Sequence, residues 1–425
     1  MWLFITVVLA FVGLAVWLRE RARMRFPGGS RDILLHMTGW LQGLRTEVIQ
    51  GDVARAHHVL VSKGSDKGRV IEENMMLPVW TDGCSIESCN GRVWRTVRHS
   101  YDHFVRQLPP IEDLETYCLQ HTPSITADAG VLDSPGIART VLAAFGQHLF
   151  ADACTPQHLD VIEACSWDIR AHVAMRTNGH DDLKRACNRT IINLLEQSAF
   201  ESPPDLPGWQ HPLAFSAVMQ PFFISPSVNF VDIVIALDNL CDLRAKSVHW
   251  RKQGYGRAKM DIVAHLVESI RIRHPFPMLE RLHGDTQYFI ALDSFFAPGH
   301  PQAAFNPTQW HAEGMYQDPL HSLIFGAGPR KCPGRTIAWA SLPALLYRWL
   351  ELEAAGHLTW RPADRHRFSG RDLDNAPTPM AESLHAAGRI VSCLANLAFE
   401  TRRPEYTDAP PATPLATLRS RRPNE

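Results

Sequence analysis

The stretch Phe325-Gly-Ala-Gly-Pro-Arg-Lys-Cys-Pro-Gly334 constrains this chain more than any other part of it. Its thiol lies between glycines, with an aromatic residue upstream and an arginine two positions before it. Glycines let a loop fold its backbone N–H groups toward the sulfur. A helix beginning near Gly334 would add its positive N-terminal end. Both effects favour the thiolate, so Cys332 is read as an anionic ligand for a soft or intermediate metal. The nine cysteines form no C-x-x-C pair and are odd in number. That argues against a disulfide framework or a zinc ribbon and leaves at least one thiol free.

The 425 residues are 45% hydrophobic and 20% charged, enough apolar material for a large core and too little charge for disorder. Lys and Arg number 43 against 44 Asp and Glu, a net charge of −1, so no nucleic-acid partner is expected. Trp2 to Leu18 is an uncharged run followed at once by Arg19, Arg21, Arg23 and Arg25. At about 1.5 Å per residue it reaches most of the way across a bilayer. The positive charge follows the run, and no small-residue cleavage site precedes the arginines, so an uncleaved anchor is expected. Residues 1–25 are therefore read as a single-pass membrane helix, with the body of the chain on the cytoplasmic side.

Phe26-Pro27-Gly28-Gly29 breaks that helix and opens the body, residues 26–401, and a Pro/Thr/Arg-rich tail, 402–425, is expected to be flexible. Helices are expected from Val93 to His103 and from Val161 to Met175, and a loop from Pro203 to Pro212. The apolar stretch Phe222 to Leu243 should be helical, with Pro221 and Pro226 kinking or opening its start. Met260, Val263, Val267 and Ile270 recur at helical spacing and predict a helix over Lys259 to Arg273. Gln287 to Leu292 reads as a short strand. Turn-rich residues run to about 335, and a further helix follows through Leu350.

The pattern F-x-x-G-x-R-x-C-x-G, carried by Phe325, Gly328, Arg330, Cys332 and Gly334, resembles the haem-binding loop of the cytochrome P450 enzymes. Upstream, Glu268-Ser-Ile-Arg271 resembles that family's E-x-x-R pair, whose members share one helix face and can form a buried ion pair bracing the loop. Trp94-Arg-Thr-Val-Arg98 resembles its W-x-x-x-R. The resemblance implies a mainly α-helical P450 fold with small β-sheets behind the single N-terminal transmembrane helix. It further implies a haem b whose iron is held by the Cys332 thiolate. Trp94, Arg98, Arg281 and Arg330 would meet the haem carboxylates, and Phe325 and Gly334 would flank the sulfur.

The sequence departs from the family in two places. Where a meander arginine usually closes the E-x-x-R network, Phe305-Asn-Pro-Thr-Gln-Trp310 puts Gln309, so that network should be rebuilt. Where the central helix usually carries an acid–Thr proton relay, this chain has Ile224-Ser-Pro-Ser-Val-Asn229. Ser227 and Asn229 are the candidates for that general-acid task. By the same resemblance the pocket wall should include Met75, Met76, Trp80, Phe222, Phe223, Pro226, Phe276 and Met278 together with Asn229.

The expected function is a monooxygenase inserting oxygen into, or oxidatively coupling, an apolar small molecule. It would use O2 and electrons from a separate reductase or ferredoxin docking near Arg330 and Lys331, since the chain shows no flavin or nicotinamide fingerprint. The missing relay keeps open a reductase-independent peroxygenase, or an isomerase or dehydratase. A fatty-acid peroxygenase would hold its substrate's carboxylate with an arginine before Pro226, and Ser225 stands there. A non-catalytic haem sensor is the remaining alternative.

Overall fold

The computed structural model describes residues 30–71, 79–126, 130–173, 179–276, 278–292, 304–312 and 318–361, and parts of 387–397. The expected anchor, Met75 and Met76 of the pocket wall, and the C-terminal tail lie outside these residues. Within them the chain is mainly helical with two small sheets, as expected from the sequence.

The order begins α1 (Ser30–Gln42), β1 (Arg45–Ile49), α2 (Val53–Val61), α3 (Gly91–Val105), α4 (Ile111–Thr126), β2 (Val131–Leu132), α5 (Ser134–Phe150), α6 (Pro156–Val173) and α7 (Asp181–Gln197). It continues with α8 (Pro212–Leu240), α9 (Leu243–Gln253), α10 (Tyr255–Ile272), β3 (Leu279–His283), β4 (Thr286–Ile290), α11 (Pro319–Phe325), α12 (Arg335–Ala354) and β5 (Thr359–Trp360). β3 and β4 pair antiparallel through a tight turn at Gly284, whose φ of 59° suits glycine. β1 adds parallel to β4, Arg45 opposite Thr286 and Ile49 opposite Ile290. β2 and β5 pair parallel in a second sheet.

α8 forms the centre of the core. Among the described residues it is the one helix long and apolar enough to cross a membrane, but 72% of its apolar window is buried inside the protein. It packs against α3, α5, α6 and α10. An all-round apolar helix of this kind is a core helix. Pro221 and Pro226 act as the sequence suggests: the backbone widens into a π turn over Met219–Ile224 before regular helix resumes at Ser225.

One expectation about local structure needs correcting. The segment before the cysteine loop is not all turn, because Pro319–Phe325 is helical. The Asp318 side chain accepts from the Leu320 N–H at 2.7 Å, and Pro319 supplies a preset first position.

Candidate active site

α11 ends at Gly326, whose φ of 70° turns the chain back, and the Cys332 N–H then donates to the Phe325 carbonyl at 2.7 Å, closing the loop. Gly328 seats the loop against the end of α2. Its φ is 67°, and a Cβ there would stand 2.5 Å from the Leu60 carbonyl oxygen and 2.9 Å from Val61 Cα. Only glycine fits both demands. α12 starts at Arg335 with Gly334 at its N-cap, directly after the thiol. The Tyr101 hydroxyl, from α3, donates to the Pro333 carbonyl at 2.9 Å and pins the loop from the other side.

Burial pushes the Cys332 thiol up to about 12, and the charge of Glu87 adds to the rise; the backbone N–H groups of Gly334 and Arg335 and the Arg98 guanidinium pull the other way. A free thiol here stays protonated at neutral pH. A bound metal cation would convert it to thiolate, with donors already aimed at the sulfur. A cavity of about 150 Å³ opens at Cys332, bordered by Arg98, Phe325, Lys331, Arg335 and Thr336. Phe325 is set edge-on to Trp339, ring centres 5.0 Å apart. The donor set therefore fits a soft, thiolate-bound metal group carrying acidic substituents.

The remaining sequence candidates take varied positions. Arg98 faces the cavity and pairs with Asp102 at 3.3 Å. Arg330 turns inward: it donates to the Cys89 carbonyl at 2.6 Å and to Asn90 Oδ1 at 2.7 Å, and its guanidinium lies 4.2 Å over the Trp94 ring. Arg281, buried in β3, donates to the Glu280 carbonyl at 2.8 Å. Ser227 is buried in α8 with its hydroxyl donating to the Ile224 carbonyl at 3.0 Å, and Asn229, further along the same helix, is half-buried. Neither borders the cavity at Cys332.

Of the expected pocket wall, Trp80, Phe222 and Phe223 are buried in the core, and Pro226 is buried at the start of the regular part of α8. Phe222 contacts Tyr101 and Phe104, with ring centres 6.1 and 5.2 Å away. Phe276 is exposed, and Met278 packs instead with Leu35, Val70 and Phe289.

Glu268 and Arg271 are both buried and joined by two hydrogen bonds, Nε to Oε2 at 2.7 Å and Nη2 to Oε1 at 2.5 Å. Gln309 completes this network: its amide donates to Glu268 Oε2 at 2.8 Å, beside the Trp310 indole N–H at 2.9 Å. The Asn306 N–H donates to Oε1 at 2.7 Å. The carboxylate is thus fully solvated by the protein without a second cation.

Sequence reasoning missed Tyr101, Lys67, Glu87 and Asn90. Lys67 and Glu87 form an ion pair of 2.6 Å in which the lysine side chain is 1% exposed. No local motif marks these residues, because the loop they meet is more than two hundred positions away in the chain.

No family model and no curated protein matches the sequence. Solved structures do match, and those compared are cytochrome P450s. A six-coordinated P450 from Thermus thermophilus aligns with TM-score 0.53 at 16% identity, covering 75% of this chain and 90% of that one. The chain has the cytochrome P450 fold. A cyanobacterial P450 bound to retinoic acid aligns with TM-score 0.52 at 13% identity, over 73% and 82% of the two chains. A variant of cytochrome P450 OleT in complex with arachidonic acid gives 0.54 at 9%, over 71% and 80%. At such identities the P450 likeness extends to the fold alone.

Proposed function

We propose that this chain is a haem-thiolate oxidoreductase that inserts oxygen into, or oxidatively couples, an apolar small molecule, drawing electrons from a separate redox partner. The observation that carries the reading is the Cys332 loop itself. A thiol is held at a helix start with two backbone N–H groups aimed at its sulfur, beside a cationic cavity, on a P450 fold. Cys332 would hold the iron of a haem b. When bound, that group supplies oxygen-activating iron chemistry, which a thiolate ligand promotes by donating electron density.

The protein's own part is positional. Gly334 and Arg335 stabilise charge on the sulfur, and Tyr101 fixes the loop through Pro333. Phe325, braced on Trp339, limits access of water to the sulfur. Arg98 supplies positive charge toward acidic substituents. The bound retinoic and arachidonic acids of two structural neighbours agree with an apolar substrate class.

A second reading rests on Ser227. Its hydroxyl hydrogen is committed to the Ile224 carbonyl, so proton delivery by that residue would require breaking a buried hydrogen bond. This favours a reductase-independent peroxygenase or isomerase chemistry as the alternative.

The reduced protein with carbon monoxide tests the assignment. A Soret band at about 450 nm is expected, and one at about 420 nm in undamaged protein would reject thiolate ligation. Cys332→Ser should abolish the 450 nm band. Turnover with NAD(P)H and a reductase is expected to exceed turnover with peroxide alone, and the reverse order selects the alternative.

A further inference from the structure

Three cations from distant parts of the chain are fastened together beside the cysteine loop. The Asn90 side chain accepts from the Lys67 N–H at 2.9 Å, donates to the Lys67 carbonyl at 3.0 Å and accepts from Arg330 at 2.7 Å. Asp66, next to Lys67, exchanges two backbone hydrogen bonds of 2.9 and 2.8 Å with Leu282, next to Arg281. Lys67 and Arg281 are almost wholly buried, and Arg330 is 8% exposed. Packing three cations this way needs a nearby anion.

Asp66 stands 3.2 Å from Arg330, and Glu87 stands 2.6 Å from Lys67 Nζ. Burial opposes its ionisation, yet Lys67, and then Arg281 and Arg330, hold the Glu87 carboxyl below the ordinary range. The two partners differ in freedom. The Lys67 side chain is 1% exposed and its backbone is clamped by Asn90, whereas the Glu87 side chain is 34% exposed on a single short turn, Ile86–Ser88. An outward rotation of the part-exposed carboxylate would leave the buried Lys67 in place.

We propose that Glu87 competes with the carboxylates of the haem for Lys67 and Arg281, so that loading the cofactor displaces Glu87 from Lys67. This rests on the haem-thiolate reading above. It predicts opposite effects of one substitution on two properties. Glu87 stabilises the haem-free chain by neutralising the cations, and it weakens haem retention by contesting them.

The test uses the full chain. Haem dissociation from the holoprotein is followed by transfer to apomyoglobin, and thermal melting of the haem-free chain is measured in parallel. Glu87→Gln is expected to slow haem transfer about tenfold, the value of one charged hydrogen bond. It should also lower the haem-free melting temperature by about 2 °C. If Glu87→Gln folds too poorly, Glu87→Asp draws the charge back from Lys67 and should slow transfer about threefold. Faster or unchanged haem transfer, in either variant that folds, overturns the competition and leaves Glu87 a structural counter-ion. A wild-type holoprotein without the thiolate spectrum overturns the haem-thiolate reading, and this inference with it.

Discussion

Gln309 offers a sharp test of how the Glu268 network is built. Its amide donates at 2.8 Å to the same Glu268 oxygen that also receives the Trp310 indole and Arg271 Nε. Gln309→Met keeps the length and removes the donor, leaving Glu268 with its other four hydrogen bonds. Loss of a single hydrogen bond to a charged, buried acceptor costs about 1.5–3 kcal/mol, and the surviving partners place this one near the lower end. Gln309→Glu is different, because it sets a second carboxylate against the first. At that spacing two unit charges repel by about 6 kcal/mol with an effective dielectric of about 20, and the half-exposed position of residue 309 lets water reduce this to about 3 kcal/mol. The repulsion raises the folded-state pKa of the introduced carboxyl above its unfolded value. The raised acid is therefore tolerated below its unfolded pKa, near 4.3, and stability is lost as pH rises from there through the folded-state value. Urea unfolding of both variants at about pH 5 and pH 8 reads this directly. The Glu variant should be the weaker by more than about 1 kcal/mol at the higher pH and should approach the Met variant at the lower one. Equal stabilities at pH 8 would refute the placement of Gln309 on the Glu268 carboxylate.

Two further substitutions probe the loop and its surroundings. Gly328→Ala forces a Cβ into the Leu60 carbonyl at 2.5 Å and requires a left-handed backbone, so it should cost about 2–4 kcal/mol in denaturant unfolding; a cost under about 0.5 kcal/mol would mean the loop does not sit on α2. His321, on α11, is held neutral by burial, with Arg335 adding to the effect, and its pKa is pushed down to about 4. The unfolded chain takes up that proton first, so this contribution is complete above about pH 6.5 and is lost as pH falls toward 4, by about 3 kcal/mol in all. His321→Gln should flatten that part of the pH–stability curve, and an unchanged slope would remove His321 from the account.

What the sequence disclosed and what it hid follow from how local each constraint is. The Cys332 loop was legible because glycines, proline and thiol act on one another within a few residues, and Glu268 with Arg271 because three residues make one helical turn. The π turn at Met219–Ile224 was foreshadowed by its flanking prolines, though not its exact form. The helix Pro319–Phe325 was hidden by its shortness: seven residues give no periodicity, and only the Asp318-Pro319 pair marked its start. Arg330 shows the other limit. Sequence pattern fixes its distance from Cys332 along the chain, yet its guanidinium is directed by Cys89, Asn90 and Trp94, all contributed from more than two hundred residues away. The charge of such a residue can be read from sequence, but its orientation is a tertiary property. The same reason explains why Lys67 and Glu87 carried no signal. A cation cluster assembled from three separate segments has no motif, and of the anions that balance it Asp66 adjoins Lys67 while Glu87 stands on a fourth segment.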